Sequence, residues 1–189
     1  MSCRFLIATA AAMWTTAAIG RVSSFAVVPS PTAGDGSVEV IAIPLDDDPQ
    51  VKAIAGALFE PEGAGPFPAV IHLTGREGPN SASAVKLQRV LVDDDVAQGE
   101  AVLILDSFTP RGLENGDCDR SPDMVFLMRR AEDAYAAQRA LAQRPDIDAK
   151  RIVLQGYGDG AIAAGLAVRP SVVRRHGDPV FSGVVTYAP

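Results

Sequence analysis

A short glycine pattern near the C-terminal end of the sequence, Gly156-Tyr157-Gly158-Asp159-Gly160, dictates how the chain must turn there. It stands between an apolar segment at 151–155 and a helix-forming run of small residues at 161–167. A strand that turns directly into a helix strains the central residue, and small residues two positions before and after it let the backbone pass. Acyl-transfer enzymes with this G-x-S-x-G turn place a nucleophilic serine at its centre. The pattern therefore predicts an acyl-transfer turn in which Gly158 leaves no reacting atom.

The order of apolar segments predicts an α/β fold. Strands at 37–43 and 51–59, joined by the turn at 46–49, form an antiparallel hairpin. Apolar runs predict further strands at 67–73, 101–105, 151–155 and 181–187, and apolar residues at helical spacing predict helices at 82–98, 123–143 and 159–168. A hairpin followed by strand–helix units predicts a mostly parallel sheet between two layers of helices.

Functional sites in such sheets form at the carboxyl ends of the parallel strands. Three segments follow predicted strands and meet at this rim, namely residues 74–78, 106–112 and 157–160. The segment after Tyr187 belongs to the same rim. Any catalytic or binding residues are therefore expected among these segments.

Three motifs on this rim resemble those of the dienelactone hydrolase family of α/β-hydrolases, in particular its exported members. They are Pro68–Gly75 followed by Gly78, Leu105–Gly112, and Asp146–Gly160. The run D-S-F-T-P-R-G in the second motif is the most specific signal. The resemblance covers residues 37–189 and implies an α/β-hydrolase-like domain that hydrolyses carboxylic esters or lactones without a cofactor or metal.

The resemblance also implies a role for each residue of the site. Gly158 occupies the nucleophile position, where it has no side chain to attack a substrate. The backbone N–H groups of Arg76 and Asp159 would form the oxyanion hole. Residues implied to contact the substrate are Thr74, Gly75, Tyr157, Asp106 and Arg111.

Neighbouring side chains limit what this site could still do. Asp159 is a poor replacement nucleophile. If it were the centre of the turn, the small residues two positions before and after it would have to be Tyr157 and Ala161, and tyrosine is too large. Arg76 and Glu77 replace the small residues expected after Gly75. We expect them to form a salt bridge that narrows the pocket.

The family's acid and histidine follow later strands, in the order nucleophile, acid, histidine. This sequence stops at Pro189, directly after a predicted strand, which predicts a truncated or shortened domain. Three interpretations remain open: an ester or lactone hydrolase with impaired catalysis, a module that binds a small ester, lactone or carboxylate, and an unstable fragment. The substrate itself is not predicted.

Other polar residues have structural interpretations that compete with catalysis. His72 lies inside a predicted buried strand and is expected to be a core residue. His176, together with Arg174 and Arg175, is expected in a solvated loop. Asp106 ends a strand at the rim, where we expect it to fix the following loop by accepting hydrogen bonds from backbone groups or from Arg111.

No metal or thiol chemistry is predicted. The D-x-D-x-S run at 117–121 has the spacing of a calcium loop, but Pro122 and Met128 stand where that loop needs glycine and glutamate. Cys118 has no neighbouring histidine or helix N-terminus to activate it, so we expect an inert or formerly bridged thiol rather than a nucleophile.

The N-terminal residues predict export. Residues 1–26 begin with a short positive segment and continue as an apolar, alanine-rich stretch, as in a secretory signal peptide. Cleavage after Gly20 or after Ala26 fits the small residues at both places. The stretch is short for a stable membrane anchor. Residues 27–36 predict a flexible segment leading into the domain at 37–189, and the expected location is secreted or periplasmic.

The charge balance argues against nucleic acid as a partner. The chain has 23 acidic and 17 basic residues and a formal net charge of −6. Binding DNA or RNA requires clustered lysine and arginine, which the sequence lacks. The expected partner is a small molecule, and the oligomeric state is left open.

Overall fold

The computed structural model describes residues 37–46, 48–49, 51–113, 123–177 and 181–187. The predicted signal peptide, the segment at 27–36 and the run at 117–121 with Cys118 lie outside the described residues. None of the described helices is both long and apolar enough to cross a membrane.

Strands and helices alternate along the described chain after an opening hairpin. The strands are β1 (Ser37–Pro44), β2 (Ala53–Glu60), β3 (Phe67–Leu73), β4 (Ala101–Asp106), β5 (Ile147–Tyr157) and β6 (Gly183–Tyr187). The helices are α1 (Ala82–Ala97), α2 (Met124–Ala142), α3 (Asp159–Ala167) and α4 (Pro170–His176), and a 3₁₀ turn spans Thr109–Arg111. Side-chain caps begin two of the helices, since Ser81 accepts a hydrogen bond from Ala84 N at α1 and Asp123 accepts one from Val125 N at α2.

The strands form one sheet in the order β1-β2-β4-β3-β5-β6. β1 and β2 pair antiparallel, and β2 is also antiparallel to β4. β3, β4, β5 and β6 are mutually parallel, so β3, β4 and β5 all end at one rim. The predicted mostly parallel sheet with an N-terminal antiparallel hairpin is confirmed.

Helices cover both faces of the sheet, which confirms the predicted three layers. The larger core packs α2 and α3 against one face and includes Leu127, Tyr135 and Ala163. A smaller core packs Val92 and Val96 of α1 against the opposite face. Burial of these apolar side chains is the main force that holds the helices to the sheet.

Two local predictions were wrong. Arg174, Arg175 and His176 do not lie in a solvated loop but form the last turn of α4, which Pro170 starts at its first position. Proline is favoured at that position, basic side chains are favoured at a helix C-terminus, and Val172 anchors the helix in the core. β5 also begins at Ile147 rather than at residue 151, because Ile147 pairs with Phe67 of β3.

Candidate functional site

The turn between β5 and α3 has a strained centre. Gly158 follows the last residue of β5, precedes the first residue of α3, and has φ +54° and ψ −123°. This positive φ is unfavourable for residues with a side chain. Strained backbone of this kind is concentrated at functional sites, where the surrounding fold holds it in place.

The three glycines of the turn, which we call the elbow (residues 156–160), differ in the space around them. A Cβ atom on Gly156 would lie 2.7 Å from the amide nitrogen of Ala161, and one on Gly160 would lie 2.7 Å from the carbonyl carbon of Leu73. Backbone atoms therefore exclude any side chain at these two positions. At Gly158 the nearest atom to such a Cβ would be Gly75 Cα at 3.7 Å, an ordinary van der Waals distance. The centre of the elbow has room for a side chain that the sequence does not provide.

An ion pair joins the loop after β3 to the first turn of α3. Arg76 Nε donates to Asp159 Oδ2 at 3.0 Å, and Arg76 Nη2 donates to Asp159 Oδ1 at 3.2 Å. The side chains are 35% and 14% exposed, so the pair lies at the surface of the rim. The sequence predicted Glu77 as the partner of Arg76, and the observed bidentate pair is with Asp159. Both residues whose N–H groups are predicted to form the oxyanion hole are thus tied together by their side chains.

Thr74 and Gly75 lie beside the elbow at the end of β3. The carbonyl oxygen of Thr74 is so close to Gly160 that it also excludes a Cβ there. The hydroxyl of Thr74 is buried and has no hydrogen-bond partner among the described residues. Gly75 is the residue nearest to the open side of Gly158.

Arg130 of α2 is a buried cation beneath this part of the rim, and sequence reasoning missed it. Its Nη2 donates to the carbonyl oxygen of Thr74, while its Nε has no hydrogen-bond partner among the described residues. The guanidinium lies over the ring of Phe108 at 4.9 Å. Burial lowers the pKa of Arg130 to about 10, although the nearby carboxylates of Asp133 and Asp159 oppose the shift. Arg130 is therefore still charged at neutral pH.

Asp106 and Arg111 hold the loop after β4. Asp106 Oδ1 accepts hydrogen bonds from the backbone N–H groups of Phe108 and Thr109, both at 2.9 Å. This agrees with the expected backbone contacts of Asp106. Among the described residues, Arg111 does not form the expected hydrogen bond to Asp106, because its guanidinium binds other partners.

Arg111 is the centre of a buried ion-pair cluster. Its Nη2 lies 2.7 Å from Asp48 Oδ2 and 2.8 Å from Asp133 Oδ1, and its Nη1 donates to the carbonyl oxygen of Ser107 at 2.7 Å. Burial favours the neutral guanidine, but the hydrogen bonds and charges of the two carboxylates prevail and raise the pKa of Arg111. The guanidinium is committed to these partners, so this placement gives Arg111 a structural role and does not support the implied contact with substrate.

The chain has two histidines, and neither lies at the elbow. His72 is buried in β3, as the sequence predicted, and burial lowers its pKa to about 4, so the ring is neutral at pH 7. His176 stacks on Tyr135 with ring centroids 3.8 Å apart, and its Nε2 lies 2.6 Å from Glu132 Oε2. Tyr157, the remaining predicted site residue, is 40% exposed at the end of β5.

A cavity of about 630 Å³ lies along α2, away from the elbow. Its walls are mostly charged and come from the β1–β2 turn, α2 and α4: Leu45, Asp46, Asp48, Pro49, Arg129, Glu132, Asp133, Ala136, Arg139, Arg175 and His176. No predicted site residue belongs to this lining. We take the elbow as the candidate site, because the charged groups of the cavity pair with one another, as Glu132 does with Arg175. Across the described residues, no group of three or more histidine, cysteine or acidic side chains could hold a metal ion.

No family model and no curated protein matches the sequence. Solved structures do match. An α/β hydrolase, GrgF from Penicillium sp. sh18, has a TM-score of 0.59 at 19% identity, covering 81% of this chain and 46% of its own. A dienelactone hydrolase-like promiscuous phosphotriesterase from metagenomic libraries has a TM-score of 0.56 at 20% identity, covering 80% of this chain and 59% of its own.

An esterase gives a similar result. Brefeldin A esterase, a bacterial homologue of human hormone-sensitive lipase, has a TM-score of 0.57 at 20% identity, covering 86% of this chain and 42% of its own. The chain thus spans between 42% and 59% of the length of these three proteins. At such identities the likeness is one of fold. Together with the strand order, it shows that the described residues have the α/β-hydrolase fold.

Proposed function

We propose that the chain carries a dienelactone hydrolase-like site for a small ester or lactone, in which hydrolysis is severely impaired. The observation that carries the proposal is the open centre of the elbow. Gly156 and Gly160 are glycines because the backbone leaves no space for a side chain, whereas Gly158 has space and no side chain. A site of this geometry keeps its scaffold and lacks an atom to attack the acyl carbon.

Neither histidine of this sequence lies at the elbow to act as a base. A serine or cysteine nucleophile needs a histidine within hydrogen-bond reach to take its proton. The ring of His72 is buried and neutral in β3, and that of His176 is held between Tyr135 and Glu132. Loss of a triad nucleophile lowers the turnover rate by several orders of magnitude.

Hydrolysis of p-nitrophenyl acetate tests this proposal. We expect the purified chain, after a cooperative thermal transition has shown that it is folded, to release p-nitrophenol at the rate of buffer alone. Saturable release that scales with protein concentration and survives repurification would contradict the proposal.

Binding without hydrolysis is the second candidate function, and the Arg76–Asp159 pair favours it. The Arg76 guanidinium is 35% exposed and pairs with Asp159 at the N-terminal end of α3, so a ligand carboxylate there would share the guanidinium with Asp159 or displace the Asp159 carboxylate. A small carboxylate or lactone carbonyl could accept hydrogen bonds there without being cleaved. Calorimetry with γ-butyrolactone and with its ring-opened acid should then show saturable binding, with the lactone recovered unchanged.

A matched pair of variants distinguishes binding at the elbow from non-specific attraction of the ligand to surface arginines. Arg76→Ala removes the guanidinium at the elbow, and Arg89→Ala removes a similarly exposed guanidinium from α1. Binding lost in the first variant and kept in the second supports the site at the elbow. Equal affinity in both variants contradicts it.

Export is a separate proposal, and it rests on residues 1–26, which have the charged start, apolar stretch and small residues of a secretory signal. Protein recovered from the periplasm or the medium should begin after Gly20 or after Ala26. N-terminal sequencing checks this, and a chain that retains Met1 would contradict it.

A further inference from the structure

The turn after β3 carries a carboxylate that the ion pair at the elbow does not use. Gly78 N donates to Gly75 O at 3.3 Å, so residues 75–78 form a turn. Arg76 in this turn pairs with Asp159, and the side chain of Glu77 makes no hydrogen bond or ion pair with any described residue. Glu77 is therefore an unused hydrogen-bond acceptor within this part of the rim.

The Glu77 carboxylate lies beside the open centre of the elbow. A Cβ atom on Gly75 would lie 2.8 Å from Glu77 Oε1 and 2.9 Å from Glu77 Cδ, so the carboxylate occupies the place of a side chain at residue 75. The Cα atom of the same glycine would lie 3.7 Å from a Cβ atom on Gly158. Since a Cα–Cβ bond is about 1.5 Å long, the carboxylate and the open centre are at most about 8 Å apart. One small ligand can therefore contact both.

We propose that the elbow selects esters and lactones that carry a hydroxyl group on the carbon next to the carbonyl, and that Glu77 recognises this hydroxyl. The inference rests on the proposed binding of an ester or lactone at the elbow. The carbonyl oxygen of the ligand accepts hydrogen bonds from the backbone N–H groups of Arg76 and Asp159. The hydroxyl group, two bonds away from the carbonyl carbon, donates its proton to a carboxylate oxygen of Glu77.

The chemistry of a carboxylate determines which ligand group can lie next to Glu77. An ionised carboxylate only accepts hydrogen bonds, so a ligand without a donor removes water from it and replaces none of the lost bonds. A hydroxyl group instead forms a charge-assisted hydrogen bond, which is stronger than a neutral one. The buried cation Arg130 attracts this carboxylate, but it donates its hydrogen bond to Thr74 and leaves the carboxylate oxygens to a ligand.

Calorimetry on the full chain with three matched lactones tests the proposal. The probes are γ-butyrolactone, its α-hydroxy derivative and its α-methoxy derivative, which keeps the oxygen atom and lacks the donor. We expect the α-hydroxy lactone to bind at least about tenfold more tightly than either of the others, because a hydrogen bond to a charged group is gained. Equal affinity for all three would overturn this inference and leave the proposed binding standing. Binding of none of them would contradict the proposed binding and this inference with it.

A matched pair of variants tests whether Glu77 is the residue that recognises the hydroxyl. In Glu77→Gln the side-chain amide donates as well as accepts, so the preference for the α-hydroxy over the α-methoxy lactone should fall from at least about tenfold to less than about threefold. Glu100→Gln is the control, because Glu100 lies directly before β4, at the other end of the sheet, and should keep the full preference. A Glu77→Gln chain that keeps the tenfold preference, or an equal loss in both variants, would overturn the role of Glu77.

Discussion

The loop after β4 and the loop after β5 lie on the same rim of the sheet, but they are held in different ways. The first is fixed by charge, since Asp106 binds two backbone N–H groups and Arg111 joins two buried carboxylates. The second is fixed by close backbone packing around glycine, and its ion pair, Arg76–Asp159, lies partly in solvent. In the described part of the β4 loop, Asp106 and Arg111 bind other groups of the protein, whereas the β5 loop leaves space at Gly158.

The two loops of this rim therefore differ in role: the β4 loop contributes to stability, and the β5 loop contains the candidate site. A buried arginine with two carboxylates anchors the β1–β2 turn, the end of β4 and α2 to one another. The elbow is positioned instead by backbone packing against the end of β3, and its one ion pair lies partly in solvent. Substitutions in the two loops should therefore have very different effects on the free energy of unfolding.

The largest effect is expected from Gly160→Ala. The new methyl group would meet the backbone of Leu73 and Thr74, which cannot move without disrupting the end of β3. We expect a loss of at least about 4 kcal/mol in the free energy of unfolding. Urea denaturation checks this against Gly165→Ala in the same helix, where nothing lies within 4 Å and alanine should stabilise by about 0.5–1 kcal/mol. Equal stability of the two variants would disprove the close packing at the elbow.

Arg111→Ala should have the next largest effect. It leaves the carboxylates of Asp48 and Asp133 buried without their cation, which costs about 3–5 kcal/mol. Arg151→Ala is the control, because the Arg151–Asp148 pair is exposed and contributes at most about 1 kcal/mol. If chemical denaturation shows the same small loss for both variants, the β4 loop is not anchored as described.

Gly158→Ser should have a moderate effect. The hydroxymethyl group has room, so the cost is that of a side chain at positive φ, about 1–2 kcal/mol. The variant should still release p-nitrophenol from p-nitrophenyl acetate at the buffer rate, because neither histidine lies at the elbow. Saturable hydrolysis by this variant would show that a base reaches the elbow after all.

Arg76→Ala should have the smallest effect on stability. The Arg76–Asp159 pair is partly exposed, so its removal should change the free energy of unfolding by less than about 1 kcal/mol. Thermal denaturation side by side with Arg111→Ala measures the contrast between the two loops directly. A loss from Arg76→Ala as large as that from Arg111→Ala would remove the distinction between them.

Local patterns in the sequence were enough to predict the order of strands and helices. Continuous apolar runs marked β3 and β4, and the helix predicted at 123–143 agrees closely with α2. The glycine spacing at 156–160 predicted the turn from β5 into α3. These signals are local, because each depends on residues that lie close to one another in the sequence.

Long-range pairing was not predictable in the same way. Arg111 joins Asp48, which is 63 residues away, and Arg76 joins Asp159, which is 83 residues away. The sequence offers many carboxylates, and only the strand order decides which of them meets a given arginine. Arg130 was missed for a similar reason, since an arginine on an amphipathic helix is usually solvated and burial of its charge depends on the rim above it.

Trapping of an acyl intermediate tests most directly the claim that the elbow has lost its reacting atom. The purified chain is mixed with p-nitrophenyl acetate, quenched in acid within milliseconds to seconds, and examined by intact-mass spectrometry with peptide mapping. We expect no acetyl group on residues 156–160 at any time, because Gly158 offers no nucleophile and the carboxylate of Asp159 is held by Arg76. An acetyl group that forms and decays on Asp159, or elsewhere in the elbow, would contradict it.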